Sequence, residues 1–205
     1  MKKFISIITL CMILYCSSTL LSTVFAAETL PTLDAQITDL TTAISSQPNE
    51  AVLYFKRGDL YINKKEFDLA IKDFNKAIEI NPRYSAAYLD RGFSYEKIQQ
   101  IDRALSDYNK AIEIDPNYSH AYRNRASVYF KKSEYDLAIS DCDKAIELNP
   151  KYTRAYLLKG IVLEKKYMYK EAIEAYRKLI ANANPQDENI ALAKDKIRIL
   201  GGQIN

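Results

Sequence analysis

The chain has 205 residues, 48% of them hydrophobic and 27% charged, and a formal net charge of +3. That is a folded globular composition, neither disordered nor collagen-like. One His, three Cys and five Gly exclude a two-histidine metal site and leave little material for a disulfide framework or a phosphate-cradling glycine loop, while sixteen Tyr need a role.

The first 26 residues, MKKFISIITLCMILYCSSTLLSTVFA, open with two lysines, continue through an uncharged stretch from Phe4 to Phe25 and end on small residues at Ala26 and Ala27. This is the three-part layout of a secretory signal, with cleavage expected after Ala26. The uncharged stretch is long enough to span a bilayer as an uncleaved anchor, but Ser17, Ser18, Thr19, Ser22 and Thr23 dilute its second half. The expectation is export to the periplasm or the extracellular space, with anchoring in the membrane as the alternative. Removing residues 1–26 leaves 27 basic and 26 acidic residues and a single cysteine, Cys142, so no intrachain disulfide can form.

Pro48, Pro82, Pro116 and Pro150 recur every 34 residues, and Pro185 follows after 35. A fixed period of this size predicts stacked units that bury a core only together. In register the columns are Tyr54, Tyr88, Tyr122, Tyr156; Gly58, Gly92, Ala126, Gly160; Tyr61, Tyr95, Tyr129, Leu163; Ala70, Ala104, Ala138, Ala172; and Phe74, Tyr108, Cys142, Tyr176.

Each unit reads as two helices, for example 51–64 and 67–80, with apolar residues at the i, i+3, i+4 spacing. Glycine inside a helix costs about 1 kcal/mol relative to alanine. The glycine column therefore predicts a close approach of the paired helix, with the Ala70 column as the expected contact. Asn81-Pro82, Asp115-Pro116 and Asn149-Pro150 predict the ends of second helices, and Ser85, Ser119 and Thr153 are expected N-caps of the next unit.

These columns resemble those of the tetratricopeptide repeat (TPR) family, of the type found in exported bacterial proteins. The resemblance covers 51 to about 184, with Tyr where the family often has Trp. It implies an all-α, right-handed superhelical solenoid of four helix-turn-helix units at 51–84, 85–118, 119–152 and 153–186. Residues 27–50 carry an N-terminal linker and a capping helix over Leu33 to Ser46, and 187–205 a C-terminal capping helix over Glu188 to Leu200.

Catalysis needs a positioned nucleophile, base or metal. His120 stands alone, Cys142 occupies a packing column, and the acids are periodic, as in Asp73, Asp107 and Asp141. No enzyme activity, cofactor or metal is expected. Arg57, Arg91 and Arg125 run parallel to that Asp column, and the two columns change together to Lys159 and Ala175, so they are expected to pair within each unit. With a charge near zero and the tyrosines in packing columns, no nucleic acid is expected.

The resemblance further implies that the first helices line a concave surface for a partner peptide or helix. In the first unit Phe55, Asp59 and Ile62 are expected to face it, and in the second Leu89, Phe93 and Lys97. The third unit contributes His120, Arg123, Asn124 and Phe130, and the fourth Arg154, Leu157 and Ile161. The family's clamp for a C-terminal carboxylate is not supported: its positions hold Phe55, Asp59, Asp90, His120 and Asn124, or Leu89, Phe93, Asn124, Arg154 and Leu158 one unit later. The expected role is a protein-binding scaffold in a cell-envelope assembly, without membrane insertion after signal cleavage. Self-association into a homo-oligomer is the second reading.

Overall fold

The structure, a computed structural model, describes residues 31–203, so the expected signal at 1–26 lies outside the described residues. Two compact units divide between Gln36 and Ile37. In the described part of the first, residues 31–36, the Thr32 hydroxyl accepts the Ala35 N–H at 3.2 Å and the Gln36 amide donates to the Pro31 carbonyl at 2.8 Å. These bonds start α1 (Leu33–Ser46). The second unit holds α2 (Ala51–Asn63), α3 (Phe67–Ile80), α4 (Ser85–Lys97), α5 (Ile101–Ile114) and α6 (Ser119–Lys131). It continues with α7 (Tyr135–Leu148), α8 (Thr153–Lys165), α9 (Tyr169–Asn182) and α10 (Asn189–Ile199). No strand occurs among the described residues.

Helices pair as α2/α3, α4/α5, α6/α7 and α8/α9, each second helix then packs on the next first helix, and α10 closes the array against α8 and α9. Successive first helices also approach one another, whereas successive second helices do not. This unequal spacing curves the array around the first helices, giving an all-α, right-handed superhelical solenoid. Its concave face belongs to α2, α4, α6 and α8, its outer face to α3, α5, α7 and α9.

The glycine column works, but not against the alanines. A Cβ on Gly58 would lie 2.6 Å from a ring carbon of Phe74, one on Gly92 2.8 Å from Tyr108, and one on Gly160 2.3 Å from Tyr176. The bare backbone thus receives an aromatic ring from the paired helix, and Phe74, Tyr108 and Tyr176 are fully buried there. The alanines at 70, 104, 138 and 172 are fully buried too, but they do not set the glycine requirement. The third repeat replaces both partners at once: Ala126 stands where the glycine was and Cys142 where the ring was. Phe130 packs against that cluster, so volume lost at Cys142 is returned from the facing helix.

The arginine and aspartate columns pair as expected. Arg57, Arg91 and Arg125 each place two guanidinium nitrogens on Asp73, Asp107 and Asp141 at 2.7–2.8 Å. A third nitrogen reaches back one helix, to Thr41, Asn75 and Asn109 at 2.9, 2.6 and 2.7 Å. Rings flank these cations: Tyr88 and Tyr95 lie 5.3 and 5.9 Å from the Arg91 guanidinium, and Tyr122 and Tyr129 lie 5.6 and 5.8 Å from that of Arg125. Two tyrosine columns therefore sandwich the arginine column, which accounts for much of the tyrosine content. The ladder stops at the fourth repeat. There Lys159 bonds Asp143 of α7, the aspartate column becomes Ala175 and the second tyrosine column Leu163, while Tyr156 keeps the first.

One local expectation needs correction. Ser85, Ser119 and Thr153 are the first helical residues rather than caps; the N-cap positions are Tyr84, Tyr118 and Tyr152, which make no side-chain cap bond. The prolines leave little room for a cap. Instead the side chains of Asn81, Asp115 and Asn149 accept the N–H two residues on, at 3.0–3.1 Å, in turns across each proline. Within each hairpin the turn residue is left-handed without being glycine, at Lys65, Gln99, Ser133 and Tyr167. The next N–H closes the helix end there, as in Glu66 to the Tyr61 carbonyl at 2.8 Å.

Two predictions follow the packing. Cys142→Phe alone overfills the third repeat and should lower stability by about 1–3 kcal/mol; adding Ala126→Gly and Phe130→Ile, which transplants the first repeat's set, should recover most of the loss in urea unfolding. Arg91→Ala strands the buried Asp107 carboxylate and should cost about 3 kcal/mol or more. The pair Arg91→Lys with Asp107→Ala, which copies the fourth repeat, should cost clearly less; equal losses would contradict the ladder.

Candidate binding groove

On the concave face the expected residues divide into three groups. Leu89, 5% exposed, belongs to the core with Ala104, Tyr108, Ala111 and Val128, so it packs instead of facing the groove. Phe55, Ile62, Phe130 and Leu157 are half-buried and lean on core clusters. Phe55 stacks on Tyr84 at 4.9 Å, and Phe130 meets Tyr135 at 6.0 Å. Phe93 and Ile161 belong to neither group. They sit in the column of Asp59 and Ser127 along the groove midline, half-buried as well but outside the core clusters, with the Lys97 ammonium 4.8 Å from the Phe93 ring.

The polar residues fall into two regions of opposite sign. Asp59 on α2 and Asp90 on α4 come close enough to act on each other, and among the described residues neither has a basic ion-pair partner. Burial is the main cause that raises Asp59 to about 6 and Asp90 to about 7, with the neighbouring carboxyl adding to the rise at Asp90. Two such carboxyls side by side favour the state in which one holds a proton. Tyr84 and Tyr118 stand beside this pair; burial first, and then the two acids, push both phenols up, Tyr118 to about 12.

Further along, His120 stacks on Tyr152 at 4.6 Å and lies 6.0 Å from Tyr118. Burial, and then Arg123 and Arg154, hold its pKa below the usual value. Arg123 reaches Asn124 at 3.3 Å, and the exposed Arg154 meets Glu188 at 3.3 Å. His120, Tyr152 and Arg154 line a cleft of about 290 Å³ together with Asp187, Glu188 and Asn189.

Two features of the groove are absent from the expected set. One is the tyrosine column Tyr84, Tyr118 and Tyr152 along the rim, two residues after Pro82, Pro116 and Pro150 in the 34-residue register. The other is a coupling at 12-residue spacing. Where the buried ring is tyrosine, a glutamate on the first helix accepts its hydroxyl: Glu96 from Tyr108 at 3.0 Å, and Glu164 from Tyr176. Lys131 and Lys196 complete these sites at 2.6 and 3.0 Å. Where the ring is Phe74 or is replaced by Cys142, the same column holds Ile62 or Phe130. Burial pushes the Cys142 thiol up to about 12, so it is not a nucleophile at neutral pH.

The repeat model of this architecture matches the chain at residues 51–84, 85–118, 120–152 and 153–184. The chain belongs to the tetratricopeptide repeat family. No curated protein matches it. Among solved structures, the TPR array is similar to that of MamA, with 25% identity, a TM-score of 0.67 and coverage of 73% of this chain and 88% of that one. It is also similar to the Arabidopsis OM64 TPR domain, at 28% identity and a TM-score of 0.52, covering 56% of this chain and 94% of that one. A third is the first TPR of Spaghetti (RPAP3) bound to an HSP90 peptide, at 28% identity and a TM-score of 0.52, covering 57% and 90%.

The TPR outer face holds a further cavity, of about 980 Å³, between α7 and α9 where the arginine ladder ends. Its apolar floor is Ile139, Ile146, Tyr156 and Leu163, and its rim lysines Lys159 and Lys166 are paired with Asp143 and Asp136. Among the described residues no helix is long and apolar enough to cross a membrane.

The acid pair gives the TPR array a pH dependence of definite sign. Both carboxyls titrate higher folded than unfolded, so the folded state binds more protons between about pH 4 and 7. The pair's contribution is fully present at low pH and is lost as pH rises through 6 to 7. The urea midpoint should fall from pH 5 to pH 8 in the parent. Asp90→Asn should flatten that fall and be the more stable protein at pH 8; parallel curves would show that the carboxyls do not meet.

Proposed function

We propose that this TPR protein is an exported adaptor that holds a peptide or helix of a partner protein against the concave face of α2, α4, α6 and α8, within an assembly of the cell envelope. The observation that carries the reading is the groove midline. Phe93 and Ile161 are half-buried apolar side chains that join none of the core clusters, beside charged groups that among the described residues lack ion-pair partners. Apolar side chains that line a groove without joining a core cluster, next to unpaired charge, fit an interaction site. The structure of the RPAP3 TPR with its HSP90 peptide supports peptide binding on this fold, and the layout of residues 1–26 supports export.

Phe93→Gln with Ile161→Gln should keep the helical circular dichroism of the parent at a cost of about 0.5–3 kcal/mol in stability. Recovery of the partner from a crosslinked envelope fraction should drop at least about ten-fold, the equivalent of 1.4 kcal/mol. Unchanged recovery by the folded variant would place the interaction elsewhere. Amino-terminal sequencing of the protein recovered from cells should begin at Ala27; a chain that begins at Met1 would contradict export through a cleaved signal.

A further inference from the structure

Among the described residues, the one buried side-chain polar atom without a hydrogen-bond partner is Nε of Arg123 on α6. Its guanidinium makes a single long bond, from Nη1 to Asn124 at 3.3 Å. Arg125, two residues on, has three bonds to Asp141 and Asn109. A buried donor left unsatisfied destabilises the fold, so folding alone gives no reason for Arg123 to rest there. Its charged neighbours add to the problem, because His120 and Arg154 carry or can acquire the same sign.

On the adjoining inner helices the imbalance is reversed: Asp59 and Asp90 face each other without a cation. Each feature is independent of the other, and both lie on the concave face. A ligand that supplies a positive charge at one and a carboxylate at the other satisfies both, since Arg recognises carboxylates through two parallel bonds.

We infer that the groove reads a partner segment of opposed charge. A Lys or Arg side chain sits against Asp59 and Asp90, and an Asp or Glu side chain draws the Arg123 guanidinium outward so that Nε gains an acceptor. Phe93, on the helix between, takes an apolar residue. Packed helices lie about 8–10 Å apart and an extended peptide advances about 3.3 Å per residue, which sets the basic-to-acidic spacing at roughly three to six residues. The inference rests on the groove proposed above and adds the charge pattern of what it holds.

The test is selection of a phage-displayed dodecapeptide library on the purified full chain and on its Arg123→Glu variant. Peptides selected by the parent should carry a basic residue three to six positions from an acidic one, and the variant should select a second basic residue in place of the acid. For a peptide so recovered, exchanging its acid for Gln should weaken binding to the parent at least ten-fold by fluorescence anisotropy, a readout that needs no protein variant. Arg123→Gln should weaken the original peptide equally with the helical content unchanged. Uncharged consensus sequences, or the same consensus from Arg123→Glu, would overturn the charge pattern while the groove stands. No enrichment by the parent would remove both.

Discussion

The fold depends on one contact repeated along the chain: an aromatic ring of the second helix lying on a bare glycine backbone of the first. Gly58 under Phe74, Gly92 under Tyr108 and Gly160 under Tyr176 set how closely the helices of a pair approach. That distance fixes the height at which every first-helix side chain meets the groove. It also decides polar chemistry on the other side of the ring, because a buried tyrosine hydroxyl must find an acceptor. Glu96 and Glu164 are held at the groove for that reason and are then balanced by Lys131 and Lys196.

The outer face is organised around a second constraint. Arg57, Arg91 and Arg125 each tie their own hairpin to the preceding second helix, and the flanking tyrosines cover the guanidinium. Charge on that side is internally balanced, including at the outer cavity, where Lys159 and Lys166 hold Asp143 and Asp136. The concave side differs. Glu96 and Glu164 are balanced, but among the described residues Asp59, Asp90 and Arg123 are not, and the half-buried Phe93 lies on the helix between them. The array thus consumes one face in holding itself together and leaves the other chemically incomplete.

Much of this was legible in the sequence because a 34-residue repeat displays each packing requirement several times. The bounds of α1 and α3 agree with the expected spans, and the arginine and aspartate columns pair as their joint change at Lys159 and Ala175 suggested. The glycine contact was misassigned because small residues recur in two columns; only the joint change to Ala126 and Cys142 identifies the ring as the partner. The N-caps were misread since serine and threonine at a helix start look alike whether or not the backbone turn is already closed by Asn81, Asp115 or Asn149. Leu89 reads as groove surface by register alone, whereas it packs in the core with Ala104, Tyr108 and Val128. The meeting of Asp59 and Asp90 is 31 residues apart, off the period, and a column reading does not bring them together.

What the account claims above all is that the incomplete concave face is the binding surface. The direct measurement is the change in backbone amide shifts of the isotope-labelled protein as a library-derived peptide is added. Shifts concentrated on α2, α4, α6 and α8, largest around Asp90, Phe93 and Arg123, are the predicted result. Shifts concentrated on α7 and α9 around the outer cavity, or along α3 and α5 with the groove unmoved, would contradict it.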